Sequence, residues 1–104
     1  MAEAWITVAQ LSELPEGTAR LVDVAGTPVC LYNLGGNVCA TQDTCTHAQA
    51  SLSEGYIDGD VIECPLHQAT FDIRTGKSLT PPATEDLRTF PVDVVGDDIR
   101  VLAE

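Results

Sequence analysis

Both histidines of this 104-residue chain stand beside a cysteine, in Cys45-Thr46-His47 and in Cys64-Pro65-Leu66-His67, with sixteen residues between the two clusters. A thiolate is a charged, soft donor and a neutral imidazole an uncharged one, so two of each read together as a four-ligand metal site. The spacing bears on which metal. Structural zinc takes cysteines paired roughly two to four residues apart and histidines roughly three to five apart, so that each knuckle is of one kind. Here each short element supplies one cysteine and one histidine. A dinuclear iron–sulfide centre needs that crossed arrangement, because two thiolates hold one iron, two imidazoles hold the other, and each of two facing loops gives one ligand to each. Zinc remains the competing reading.

One domain with one modest core is what this length allows. Sixteen acidic residues against five basic ones, a formal charge of -11, argue against nucleic acid as a partner and favour a basic docking surface on another protein, plain solubility being the alternative. Met1 to Ile6 shows no basic region followed by an apolar run, and no window approaches the roughly eighteen apolar residues of a membrane span, so a soluble cytoplasmic protein is expected.

Gly, Pro, Asn and Asp interrupt the chain at short intervals and the stretches between are rich in Val, Ile, Leu, Thr and Tyr, the signature of a small antiparallel β domain. Strands are expected at Ile6 to Val8, Ala19 to Val24, Val29 to Leu34, Val38 to Thr41, Val61 to Glu63, Thr70 to Ile73, Thr89 to Val94 and Ile99 to Leu102. Gln10 to Leu14, stopped by Pro15, reads as a turn. The last two strands join through Gly96-Asp97 and close the base sheet. The Leu34-Gly35-Gly36-Asn37 turn pairs Cys39 with Tyr32 and leaves Cys30 on the diagonal, about 7 to 8 Å away and at or beyond bridging distance. Both are therefore read as small buried strand residues rather than a disulfide. Asp58-Gly59 marks a hairpin that brings the two ligand loops face to face. Leu79-Thr80-Pro81-Pro82-Ala83 reads as a linker or as a rigid cover for the metal site.

Cys45-Thr46-His47 and Cys64-Pro65-Leu66-His67, with Leu52-Ser53-Glu54-Gly55-Tyr56 and Glu63 between and Phe71-Asp72-Ile73-Arg74-Thr75-Gly76-Lys77 after, closely resemble the Rieske-type [2Fe-2S] ferredoxins of bacterial aromatic-ring dioxygenase systems of the naphthalene, biphenyl and carbazole kind. The similarity spans nearly the whole chain. It implies an all-β Rieske fold over residues 1–104, in which an antiparallel β-sandwich base carries a small cluster-binding subdomain of two ligand loops, at about 43–72. It implies one [2Fe-2S] cluster, with Cys45 and Cys64 on the inner iron and His47 and His67 on the outer one. It also implies a monomeric carrier that takes single electrons from a nicotinamide-dependent flavoprotein reductase and passes them to a terminal oxygenase, without catalysis of its own.

Departures from the family pattern have consequences. Ala48 and Ala69 stand where many relatives have glycine, which raises the question of positive φ in both loops. Ala50 and Leu66 replace the bridging cysteines of high-potential relatives, while Ala69 and Phe71 replace their Ser and Tyr hydroxyls. Each lost donor to the cluster destabilises its reduced, more negative form, so the potential should lie near the low end of the Rieske range, about -150 mV. Leu66, Pro81 and Pro82 are expected as an apolar docking tip, with Asp43, Glu54 and Asp72 as a steering rim. Two rival functions stay open: a small Rieske subunit of a nitrite-reductase-like enzyme, and a zinc-stabilised interaction module.

Overall fold

The computed structural model describes residues 4–45, 50–66, 69–80 and 85–103. Ten strands follow in order: β1 (Ala4–Gln10), β2 (Ala19–Val24), β3 (Thr27–Leu34), β4 (Asn37–Gln42), β5 (Tyr56–Asp58), β6 (Val61–Glu63), β7 (Thr70–Asp72), β8 (Thr89–Phe90), β9 (Val92–Val95) and β10 (Asp98–Ala103). Two single 3₁₀ turns, Leu11–Glu13 and Leu52–Glu54, interrupt them. The strands form three antiparallel sheets, ordered β1-β10-β9, β2-β3-β4-β8 and β5-β6-β7.

Alternation along β3 explains the layering. Val29 and Leu31 face one core, with Val22, Val24, Ala40 and Phe90 of their own sheet and Ile99 and Val101 of the first sheet. Cys30, Tyr32 and Leu34 face the other core, with Ile62 and Phe71 of the third sheet. Successive side chains point to opposite faces of a strand, so one apolar run can hold two layers together. The first two sheets make a sandwich, and the third packs on its outside.

Turn chemistry fixes the registers. Tyr32 pairs with Cys39 across the Gly35-Gly36 loop, and Cys30 pairs with Thr41. The two cysteines lie diagonally and are free thiols. Cys30 is fully buried, whereas Cys39 is only partly covered. The hairpin after β5 turns on Gly59-Asp60, one residue later than Asp58-Gly59 suggests, because Asp58 already pairs with Val61 and Gly59 takes the positive φ of 61°. Alternation within Tyr56–Asp58 is too short to announce a strand, which explains why β5 escapes a periodicity reading.

The expected strand Thr89 to Val94 is two strands in two sheets. Thr89 and Phe90 pair with Thr41 and Ala40, whereas Val92 to Val95 pair with β10. Pro91 between them has no N–H to extend a ladder, and its carbonyl accepts the Leu102 N–H at 3.1 Å. The chain therefore crosses from one layer of the sandwich to the other at this residue.

Gly55 marks a tight backbone approach at the third sheet: a Cβ there would lie 2.2 Å from the Glu63 carbonyl oxygen. Gly55→Ala should therefore cost about 1–3 kcal/mol of unfolding free energy by forcing β6 away from the 3₁₀ turn. Denaturant titration of the holoprotein checks this; a midpoint equal to that of the wild type would contradict it.

Candidate metal centre

The two candidate ligand segments are closed at their bases in the same way. At the first, Thr44 bridges Ser51 and the Cys45 N–H donates to the Ala50 carbonyl at 3.0 Å. At the second, Glu63 pairs with Thr70 and the Cys64 N–H donates to the Ala69 carbonyl at 2.8 Å. Each cysteine thus opens a six-residue loop that an alanine closes. Cys45 is 4% exposed and Cys64 fully buried, and both belong to the core between β3 and the third sheet, together with Leu52, Ile62 and Phe71. The β5–β6 hairpin and the Leu52–Glu54 turn link the loops and so bring the two thiols to one core.

The donor chemistry fits the implied cluster. Neither thiol is in a disulfide, and a buried pair in an apolar pocket is the environment in which metal thiolates are kept from water. They supply one sulfur per loop, as crossed ligation requires. His47 and His67, the imidazole half of the set, lie outside the described residues. Ala69 is fully buried, and Ala25 is the one described non-glycine residue with positive φ, so alanine at 69 meets no left-handed strain. Ala48 lies outside the described residues. Phe71 is also fully buried, and neither it nor Ala69 has a hydroxyl to offer a sulfur.

Leu66 in the second loop is 62% exposed. Pro81 and Pro82 lie outside the described residues, but the segment leading to them is pinned beside the second loop. Thr80 Oγ1 accepts the Thr70 N–H at 3.1 Å and shares a 2.7 Å hydrogen bond with Thr70 Oγ1. The steering rim needs correction. Asp43 is buried, and its carboxylate accepts hydrogen bonds from Ser51 Oγ and the Ser53 N–H. Asp72 is partly buried and caps its own turn by accepting from the Arg74 and Thr75 N–H groups. Glu54 is exposed. On the outer face of the third sheet, Tyr56, 65% exposed, pairs with Glu63, and Asp58 lies two residues along the same strand. A pattern reading by nearness to the ligands could not separate inward from outward carboxylates.

Two loops on a β sandwich, closed at their bases by matching backbone hydrogen bonds and each beginning with one buried thiol, form a framework on which a metal centre can be held. The chain belongs to the Rieske [2Fe-2S] domain family, which it matches over residues 4–91. It carries one Rieske-type [2Fe-2S] cluster and is an electron-transfer component, not a catalyst. It is 42% identical to the ferredoxin component of the naphthalene 1,2-dioxygenase system of Pseudomonas aeruginosa, over 97% of each chain. Identity is 46% to the 3-phenylpropionate/cinnamic acid dioxygenase ferredoxin subunit of Shigella boydii, over 88% of this chain and 86% of the relative. Among solved structures, a chain from the complex of reduced oxygenase and oxidised ferredoxin in carbazole 1,9a-dioxygenase superposes with a TM-score of 0.90 at 44% identity, covering 96% of this chain and 94% of that one. A protein assigned as a nitrite reductase small subunit shares the fold at a TM-score of 0.82 but only 25% identity, over 99% of this chain and all of that one.

Burial pushes the Cys30 thiol up to about 12, with the nearby Asp43 charge adding to the effect, and it drives the Tyr32 phenol up as well. Both groups stay neutral in the fold. Above the ordinary thiol pKa the unfolded chain releases a proton that the folded chain keeps, so stability is full below about pH 9 and falls as pH rises towards 12, by at most about 1.4 kcal/mol per pH unit from this thiol. Denaturant midpoints from pH 8 to 11 should decline, and Cys30→Ala should make the decline shallower. Equal slopes for the two proteins would refute this assignment.

Proposed function

We propose that this protein is a cytoplasmic, monomeric carrier. It moves single electrons from a nicotinamide-dependent flavoprotein reductase to the terminal oxygenase of an aromatic-ring dioxygenase system. In this reading Cys45 and Cys64 hold the inner iron and His47 and His67 the outer one, and residues 43–72 act as the cluster-binding unit of one 104-residue domain. The observation that carries the proposal is the pair of buried thiols at matching stations of two loops, in a chain that ferredoxin components match nearly end to end.

The bound cluster supplies a one-electron store whose charge changes without bonds being made to a substrate. The chain's own residues do the rest. The apolar core around Cys45 and Cys64 excludes water, and the two cross-loop backbone hydrogen bonds hold the loop bases in one geometry. Leu66 in the second loop offers an apolar contact, and the exposed Glu54 and Asp58, with the half-buried Glu63, present negative charge to a basic partner. A carrier must release its partner between electrons, so a small interface below about 1,200 Å² suits this role. Relatives named for naphthalene and for phenylpropionate systems are about equally similar to this chain. A carrier that never touches the aromatic substrate would have no pocket shaped to it.

The nitrite-reductase-like alternative is weakened by its lower identity, 25% against 44% for the carbazole ferredoxin complex. Reconstitution tests the proposal: the purified holoprotein should couple a nicotinamide-dependent flavoprotein reductase to ring hydroxylation by a Rieske oxygenase, at a rate that falls with added salt. Failure with every such pair would favour the alternative. Potentiometry should give a midpoint near about -150 mV; a value well above zero would contradict the assignment of a low-potential centre. Cys64→Ser should lose the two irons and two sulfides found in the wild type, and retention of a full cluster would overturn that ligand.

A further inference from the structure

Asp43 lies two residues before Cys45 and is 4% exposed. Its backbone is held by a 3.2 Å donation to the Pro28 carbonyl and a 2.7 Å acceptance from the Leu52 N–H. Its carboxylate is held as firmly. Oδ2 accepts the Ser51 hydroxyl at 2.5 Å, and Oδ1 accepts the Ser53 N–H at 3.0 Å. Ser51 Oγ and Ser53 Oγ are 2.7 Å apart. Since the Ser51 proton goes to Asp43, the Ser53 hydroxyl donates to Ser51, and the whole chain of donors points at the carboxylate. Side chains aimed in this way mark a charged acceptor. Among the described residues no lysine or arginine forms an ion pair with it.

We propose that Asp43 is a built-in anion that sets the reduction potential of the cluster low through its buried, uncompensated charge. This rests on the reading of Cys45 as a cluster ligand. Adding an electron beside a fixed negative charge is opposed by Coulomb repulsion, and in an apolar core that repulsion is poorly screened. Surface carboxylates act through water and are far weaker at the same range. Asp43 stands at the base of the first loop itself: its carbonyl accepts the Leu52 N–H, the next residue, Thr44, bridges Ser51, and the Cys45 N–H donates to the Ala50 carbonyl. Asp43 is thus a positioning and tuning residue. The two serines keep its charge in place where an unbonded carboxylate would be too costly to bury.

The test is potentiometry on holoprotein, with iron and sulfide counted in every sample. Asp43→Asn keeps the shape and an acceptor for the Ser53 N–H but removes the charge, and its midpoint should move to higher potential, with two irons and two sulfides retained. A second neutral variant, Asp43→Ser, keeps a hydroxyl oxygen in place of the carboxylate, and its midpoint should move the same way. Glu16→Gln, an exposed neutralisation away from the loops, should leave the midpoint at the wild-type value, and the Asp43→Asn shift should survive added salt. A clustered Asp43→Asn protein with an unchanged or lowered midpoint overturns the proposal. Should that variant fail to fold, Asp43→Ser decides, since an unchanged or lowered midpoint there overturns it too. A wild-type protein without iron and sulfide would instead refute the functional reading on which the proposal stands.

Discussion

Everything in this molecule hangs on a strand that is buried on both faces. Val29 and Leu31 of β3 close the sandwich, while Cys30, Tyr32 and Leu34 form the floor on which the third sheet and both ligand loops rest. A shift of one residue in its register would exchange these sets and place the wrong side chains under the loops. The Gly35-Gly36 loop fixes that register on one side, and the six-residue pairing with β2 fixes it on the other. Asn33 adds a lock of its own, donating to the Leu14 carbonyl and accepting from the Gly36 N–H, both at 2.8 Å.

On that floor the two ligand loops are made alike by main-chain hydrogen bonds rather than by side chains. Cys45 to Ala50 and Cys64 to Ala69 each close a loop at its base, so the sulfur positions are determined by backbone geometry. This suits a centre that must change charge with little movement. It also explains why substitution of the family's usual glycine by Ala69 is accommodated: the residue is needed for its carbonyl and for its small buried volume, and its φ is not in the left-handed region. Outside this buried base, Leu66 and Tyr56 are large side chains left exposed.

The charge of the chain does two different things according to depth. Carboxylates at the surface are solvated, and they are screened within about 10 Å by salt. Asp43, held inside by two serines, acts on the interior instead. Composition alone counts all sixteen acidic residues as equal. Burial distinguishes them, and several of the exposed ones are further occupied: Asp60 pairs with Arg74, Asp97 binds Ser12, and Asp93 binds Arg100.

Local sequence determined the features that depend on neighbours in the chain. Residue type and spacing at Cys45, His47, Cys64 and His67 pointed to the family that the chain matches, the glycine-bearing turns set the hairpins, and the Tyr32–Cys39 pairing follows from the loop length between them. What only the tertiary structure decided depends on residues far apart. Pro91 reads as part of a single strand until β4 and β10 are seen to claim its two sides. Asp43 reads as a surface charge until Pro28, Ser51, Leu52 and Ser53 close over it. Hydrogen-bond ladders and desolvation are properties of packed neighbours, and one-dimensional pattern carries them only where the fold happens to bring neighbours in sequence into contact.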